Sequence, residues 1–256
     1  MVDLSVEDLG RMPYGAALDL QRAALEATVA ARDGGPGDGM AGAGRVYLVE
    51  HDPPVITVTR RPGAGRHVLA SPGQLAETGV QLCETDRGGD VTYHGPGQLV
   101  VYPILDLNAL GLRIHGYMRM LEEVVIRTLA DFGVEGYRDA CATGVWVGGS
   151  AVVAPACGDA GASTSVEAAR VGGSKICAMG VRVSRWVAMH GLALNVAPEL
   201  SHFDLIVPCG LHGRTVTSLR RELGDAAPGM DRVKASIVGH LRDLVRARRA
   251  ATASRG

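Results

Sequence analysis

Met118, Leu121, Val125, Leu129 and Phe132 recur at the spacing that puts apolar side chains on one face of a helix, and Gly133 follows as a stop. A second stripe, Val233, Ile237, Leu241, Leu244 and Val245, predicts a helix near the C-terminus that Asp231 is placed to cap. Residues 14–32 predict another. Short apolar runs bounded by turn residues predict strands at 46–50, 55–59, 80–84, 99–105, 144–147, 176–183 and 191–196. Strands fill the middle and helices flank them, so the expected architecture is α+β, a sandwich of a mixed sheet and helices.

Two segments break the pattern. Residues 33–44, DGGPGDGMAGAG, and residues 150–171, SAVVAPACGDAGASTSVEAARV, carry many small residues and no sustained period. They hold too little apolar surface to offset the entropy of ordering. Both are expected to be flexible inserts in one folded domain spanning 1–245, with a frayed basic tail at 246–256.

Composition narrows the classes. A chain of 256 residues, 46% hydrophobic, can build a core without disulfide staples. The formal net charge of -1 provides no global field for nucleic acid or anionic membrane. No apolar run approaches the roughly 20 residues of a membrane span. The acidic opening MVDLSVEDLG lacks the apolar stretch of a secretory leader. A cytoplasmic location is expected. The cysteines number five and include no CxxC pair, which argues against a disulfide framework or a zinc ribbon. Lysine occurs only at positions 175 and 234 among many arginines, so each surviving lysine is informative.

Candidate chemistry gathers in three segments. RGGDVTYHGPGQ at 87–98 combines glycines that let backbone approach a ligand with a fixed cation, Arg87, and a ring of tunable protonation, His94. It is neither a Walker A loop nor GxGxxG. GGSKICAMG at 172–180 places Lys175 in a glycine turn, and IVPCG at 206–210 places Cys209 between proline and glycine, where a side chain can face a cleft. A thiol nucleophile acts as thiolate, and a neighbouring cation lowers its pKa from about 8.5. Chemistry alone leaves Lys175, His94 and His190 all open as the partner of Cys209. Cys83 and Cys177 fall in apolar strand patterns and read as buried small hydrophobes.

In chain order, HDPPVITVTRR (51–61), TDRGGDVTYHGPGQLVVYPILDL (85–107), GVWVGG (144–149), GGSKICAMGVRVSRWVAMHGLALNV (172–196) and FDLIVPCG (203–210) resemble the lipoyl(octanoyl) transferase family. The resemblance implies the fold of biotin and lipoate protein ligases. It implies an acyltransferase of lipoate biosynthesis and protein lipoylation. An octanoyl group would pass from octanoyl-acyl carrier protein through an enzyme thioester to a lysine amine of lipoyl domains, in 2-oxoacid dehydrogenase complexes and glycine cleavage H protein. No cofactor and no metal are implied. The family's acyl-carrying cysteine falls on Cys209 and its activating lysine on Lys175. Its substrate-binding segments fall on Arg87, Gly88, Gly89, Asp90, Val91, Thr92, Tyr93 and His94, on Ala178, Met179 and Gly180, and on Gly191, Leu192 and Ala193. Val91, Leu99 and Val101 are candidate walls of the acyl slot. The alternative on the same fold is an ATP-dependent lipoate or biotin ligase, which needs the lysine but no nucleophilic cysteine.

Overall fold

The computed structural model describes residues 4–34, 44–140, 142–152, 169–207 and 214–254. In chain order the strands are β1 (Ser5–Met12), β2 (Arg45–His51), β3 (Val55–Thr59), β4 (Gln81–Thr85), β5 (Val91–His94), β6 (Gln98–Asp106), β7 (Gly136–Arg138), β8 (Val145–Val147), β9 (Ser150–Val152), β10 (Ala169–Val171), β11 (Ser174–Ser184), β12 (Val187–Asn195) and β13 (Thr215–Val216). The α-helices are α1 (Tyr14–Arg32), α2 (Pro72–Thr78), α3 (Ile114–Ala130), α4 (Leu219–Leu223) and α5 (Met230–Ala253).

A mixed sheet of order β1-β2-β6-β12-β11-β8-β7 forms the spine, with β13 added parallel to β11. β1 runs parallel to β2, and the remaining pairs along this order are antiparallel. The centre of the sheet is covered on both sides. Leu99, Val101 and Leu105 of β6 join the apolar stripes of α3 and α5 in one core, while Val100, Tyr102 and Ile104 join Ala17, Leu18, Leu25 and Val29 of α1 in a second. A strand buried on both faces has no polar side to alternate with, which is why β6 reads as a continuous apolar run. A smaller sheet, β4-β3-β5, packs a third core from Ile56, Val91, Tyr93, Phe203 and Ile206. The expected mixed α+β architecture is what the chain adopts.

Several local expectations need correction. Residues 91–94 of the glycine-rich segment are a strand, buried at every position, rather than loop. α5 runs to Ala253, so residues 246–253 are helical rather than frayed. Val245 is buried, and the Thr252 side chain lies against Gly111, so the last turns have a surface to pack on. α5 starts after Gly229, and Asp231 sits in its first turn, where a carboxylate favours the helix dipole, rather than at the cap. The two ends of the 150–171 segment pair as an antiparallel ribbon, β9 with β10. Residues 35–43 and 153–168 lie outside the described residues. Among the described residues no helix is long and apolar enough to cross a membrane.

Candidate active site

A cleft with about 400 Å³ of empty space, part of it open to solvent, lies between the large and small sheets. Its floor is Ala178, Met179 and Gly180 of β11 with Gly191, Leu192 and Ala193 of β12, which face one another in register. Its walls are Thr92 and His94 of β5, Val100 and Tyr102 of β6, Tyr14 of α1, and Arg87. A second space of about 280 Å³ shares Thr92 and Ala178 with the first and continues to Lys175, past Gln98, Asn195, Phe203 and Val216.

Strand geometry sorts the glycine-rich segment. Successive side chains of β5 point to opposite faces, so Thr92 and His94 face the cleft while Val91 and Tyr93 pack into the third core. Alternation in β6 likewise gives the wall Val100 and Tyr102, whereas Leu99 and Val101 join the α3 side. Val91, Leu99 and Val101 are therefore not walls of this cleft. Arg87 is held by Thr57 O (3.1 Å), Thr57 Oγ1 (3.0 Å) and Asp90 O (2.9 Å), so its cation locks the turn as well as lining the cleft. Gly88 donates its N–H to Val181 O (2.9 Å), and a side chain at Gly180 would strike the Gly88 carbonyl, so the turn lies directly on β11.

A buried hydrogen-bond relay fixes the protonation of His94. The Asn195 Nδ2 donates to Thr217 O (2.9 Å), so Asn195 Oδ1 is free to accept from Gln98 Nε2 (3.0 Å). Gln98 Nε2 also donates to Tyr93 O (3.1 Å), which leaves Oε1 as acceptor for His94 Nδ1–H at 2.7 Å. Burial, with His51 adding to it, pushes the His94 pKa well below its ordinary value. The ring is neutral near pH 7, and its Nε2 is a hydrogen-bond acceptor. The relay's far end is Thr217 N–H, which donates to the Lys175 carbonyl (3.0 Å).

The same logic orients a ring cluster behind the cleft. His51 Nδ1 meets Met12 O (3.1 Å), an acceptor only, so Nδ1 carries the proton and Nε2 accepts from the Tyr102 hydroxyl (2.7 Å). Burial holds His51 at a pKa of about 4. Tyr14 stacks on His94 with centroids 6.3 Å apart. His190 interrupts the pairing of β12 with β6, where the register places Pro103 opposite, a residue with no N–H to give. Its φ of 59° is left-handed, and its own N–H is satisfied by Gln21 Oε1 (2.9 Å). Its Nε2 donates to Asp86 Oδ1 (2.9 Å), so of the two histidine rivals for Cys209 this one is committed to a carboxylate.

Lys175 is only 6% exposed, on β11 opposite Trp146 of β8 and Val216 of β13. Its Nζ lies 4.8 Å from the centre of the Trp146 ring, and the Arg214 guanidinium lies 3.9 Å from the same ring. Arg214 is anchored on buried Asp139 (2.5 Å) and Gly172 O (3.1 Å). Gly144, at φ 110°, has its backbone close to the lysine stem; a Cβ there would collide with Cys177 O and touch Lys175 Cε. Lys175, expected in a glycine turn, is instead a buried strand residue, because β8 and β13 flank β11 on this side.

Cys209, Cys141 and Cys157 lie outside the described residues. The flanks of segment 208–213 are described. Val207 N–H donates to His67 O (2.8 Å), and Arg214 and Val216 stand beside Lys175 as above. Cys177 is fully buried and its thiol pKa is pushed up by desolvation; Cys83 is half-buried. Sequence reasoning brought nine of the cleft-lining residues to the site, namely Arg87, Thr92, His94, Ala178, Met179, Gly180, Gly191, Leu192 and Ala193. It missed Tyr14, Tyr102, Gln98, Asn195, Trp146 and Arg214. The polar residues Gln98 and Asn195 at the ends of apolar runs were the available signal.

A family model described as the lipoyl protein ligase A/B catalytic domain matches residues 13–242. A protein from Chloroflexus aurantiacus named octanoyltransferase is 44% identical over 245 residues, 95% of each chain. One of the same name from Flavobacterium johnsoniae is 44% identical over 201 residues, 78% of each chain. Among solved structures, a bipartite lipoate protein ligase from Thermoplasma acidophilum matches with a TM-score of 0.65 at 15% identity, covering 96% of this chain and 85% of that one. At that identity the likeness shows the shared fold and nothing finer.

Proposed function

The chain belongs to the lipoyl protein ligase A/B catalytic domain family, and from that premise we propose that it is an octanoyltransferase working through a Cys209 thioester with Lys175 as acid and base. The observation that carries this reading is the cleft of Ala178–Gly180 and Gly191–Ala193 that continues to a buried lysine. An octanoyl chain in it gains about 0.8 kcal/mol for each methylene removed from water. The donor is octanoyl-acyl carrier protein, the acceptors are lipoyl domains, and the reaction belongs in the cytoplasm.

In the first half-reaction the Cys209 thiol gives its proton to Lys175 and the thiolate attacks the octanoyl carbonyl. The bond to the pantetheine sulfur breaks, and Lys175 returns the proton to that sulfur. One thioester replaces another, so no ATP is required. In the second, a lipoyl-domain lysine amine attacks the Cys209 thioester, Lys175 moves its proton to the departing Cys209 sulfur, and an amide forms. Both tetrahedral intermediates need a donor for the oxyanion. Beyond Cys177, β8 no longer pairs with β11, and the Val181 carbonyl on that edge accepts from Gly88. By the two-residue alternation of an antiparallel strand, the Met179 N–H points to the same edge and is our candidate donor.

Intact-protein mass spectrometry after incubation with octanoyl-acyl carrier protein tests the covalent step. One octanoyl adduct is expected, absent from Cys209→Ala, with transfer to a lipoyl domain proceeding without ATP. Turnover with no adduct at Cys209 would sink the thioester route, and a requirement for ATP would favour a ligase.

A further inference from the structure

Beside the cleft lies a strip of charge that the fold does not use. Arg60, Arg61 and Arg66, between β3 and α2, are exposed, and Leu69 just beyond them is 59% exposed. None of the three arginines pairs with a carboxylate among the described residues. No Asp or Glu occurs between Asp52 and Glu77. Of the acidic residues on neighbouring segments, Asp90 is buried against His67 (2.8 Å) and Asp204 is exposed. The strip is tied to the site from two sides. Thr59 Oγ1 donates to Gly89 O (3.2 Å) in the turn after Arg87, and Leu69 N–H donates to Leu205 O (2.8 Å) in the segment leading towards Cys209.

We propose that Arg60, Arg61, Arg66 and Leu69 form the docking surface for an acidic carrier domain that delivers the acyl thioester on a phosphopantetheine arm. The proposal rests on the octanoyl-transfer reading. Reach favours the donor over the acceptor as occupant. A substrate lysine is a short side chain, so its domain must sit over Lys175, whereas a long arm lets its carrier stay at the rim. The arm also bears a phosphodiester, which guanidinium groups match by geometry and charge. Leu69 supplies the apolar contact beside the cations. Charges at a rim act mainly on association and on its salt dependence.

The test compares wild type with the triple variant Arg60→Glu, Arg61→Glu, Arg66→Glu, and with the triple alanine variant, after circular dichroism shows that each is folded. Rates are measured with octanoyl-acyl carrier protein and with octanoyl-pantetheine, which has the reacting thioester but no protein. At low salt, kcat/KM for the carrier-borne donor should fall about tenfold or more in the charge-reversed variant and less in the alanine one. Octanoyl-pantetheine turnover should not change, and the salt dependence seen in wild type should be lost. Unchanged carrier kinetics, an equal loss with both donors, or an effect confined to the KM for the lipoyl domain would each overturn the proposal. If wild type turns over neither thioester, the octanoyl-transfer reading fails by itself. Docking is then decided by fluorescence anisotropy with labelled octanoyl-acyl carrier protein. Tighter binding by wild type than by the triple variant supports it, and equal or absent binding overturns it.

Discussion

Replacing Gln98 with leucine should damage stability and substrate binding together. Gln98 is 1% exposed and makes three hydrogen bonds, to His94 Nδ1, Tyr93 O and Asn195 Oδ1. Leucine has similar bulk and no polar atom, so it leaves one donor and two acceptors without partners. Each buried orphan costs about 1–3 kcal/mol, so three give a gross loss of about 3–9 kcal/mol. Added apolar burial offsets roughly 1–2 kcal/mol. The net, about 1–8 kcal/mol, is a large share of a typical domain's stability of about 5–15 kcal/mol. Urea unfolding followed by far-UV circular dichroism measures it. The released His94 should also raise the KM for the octanoyl donor. Nitrogen-15 NMR of the imidazole gives an independent check, with wild-type His94 expected as the neutral Nδ1–H form. A stability loss under about 1 kcal/mol, or a wild-type Nε2–H ring, would refute the relay.

Two further outcomes follow from the site. Lys175→Arg keeps the cation but loses the ability to accept a proton near neutral pH, so kcat should fall at least about 100-fold; acyl transfer at the wild-type rate would refute the base role. Acid should destabilise the fold through His51. Its folded pKa is depressed to about 4 from an ordinary 6.5, so between these values the unfolded chain binds the proton and the folded one does not. Stability from this group is therefore complete above about pH 6.5 and declines as pH falls towards 4, by about 3 kcal/mol in all. His94 and His190 are shifted in the same direction. His51→Gln should flatten the decline in urea-melt stability over that range, and an unaltered slope would count against the assignment.

The helices α1, α3 and α5 and the long strands were legible because local periodicity reports which residues share a face. β5 was not, since a four-residue strand among four glycines offers too short a pattern, and β1 passed unremarked for want of an apolar stripe. The wall residues of the cleft could not be chosen either. β6 is apolar on both sides, and only the packing of α1 against one side and α3 against the other assigns Val100 and Tyr102 to the cleft and Leu99 and Val101 away from it.

Sequence alone determined the family, from motifs in fixed order, and with it the assignment of Lys175 and Cys209 as the pair to examine. The scarcity of lysines also singled out Lys175 as a residue to examine. Only the tertiary structure decided where Lys175 lies. Strands from three distant stretches, 145–147, 174–184 and 215–216, meet there, so the lysine is buried on Trp146 beside Arg214. The structure likewise decided that His94 is an acceptor, because its protonation depends on partners at 98, 195 and 217. Local sequence encodes which face a side chain takes. It does not encode which distant donors and acceptors that face will meet, and that pairing sets the chemistry.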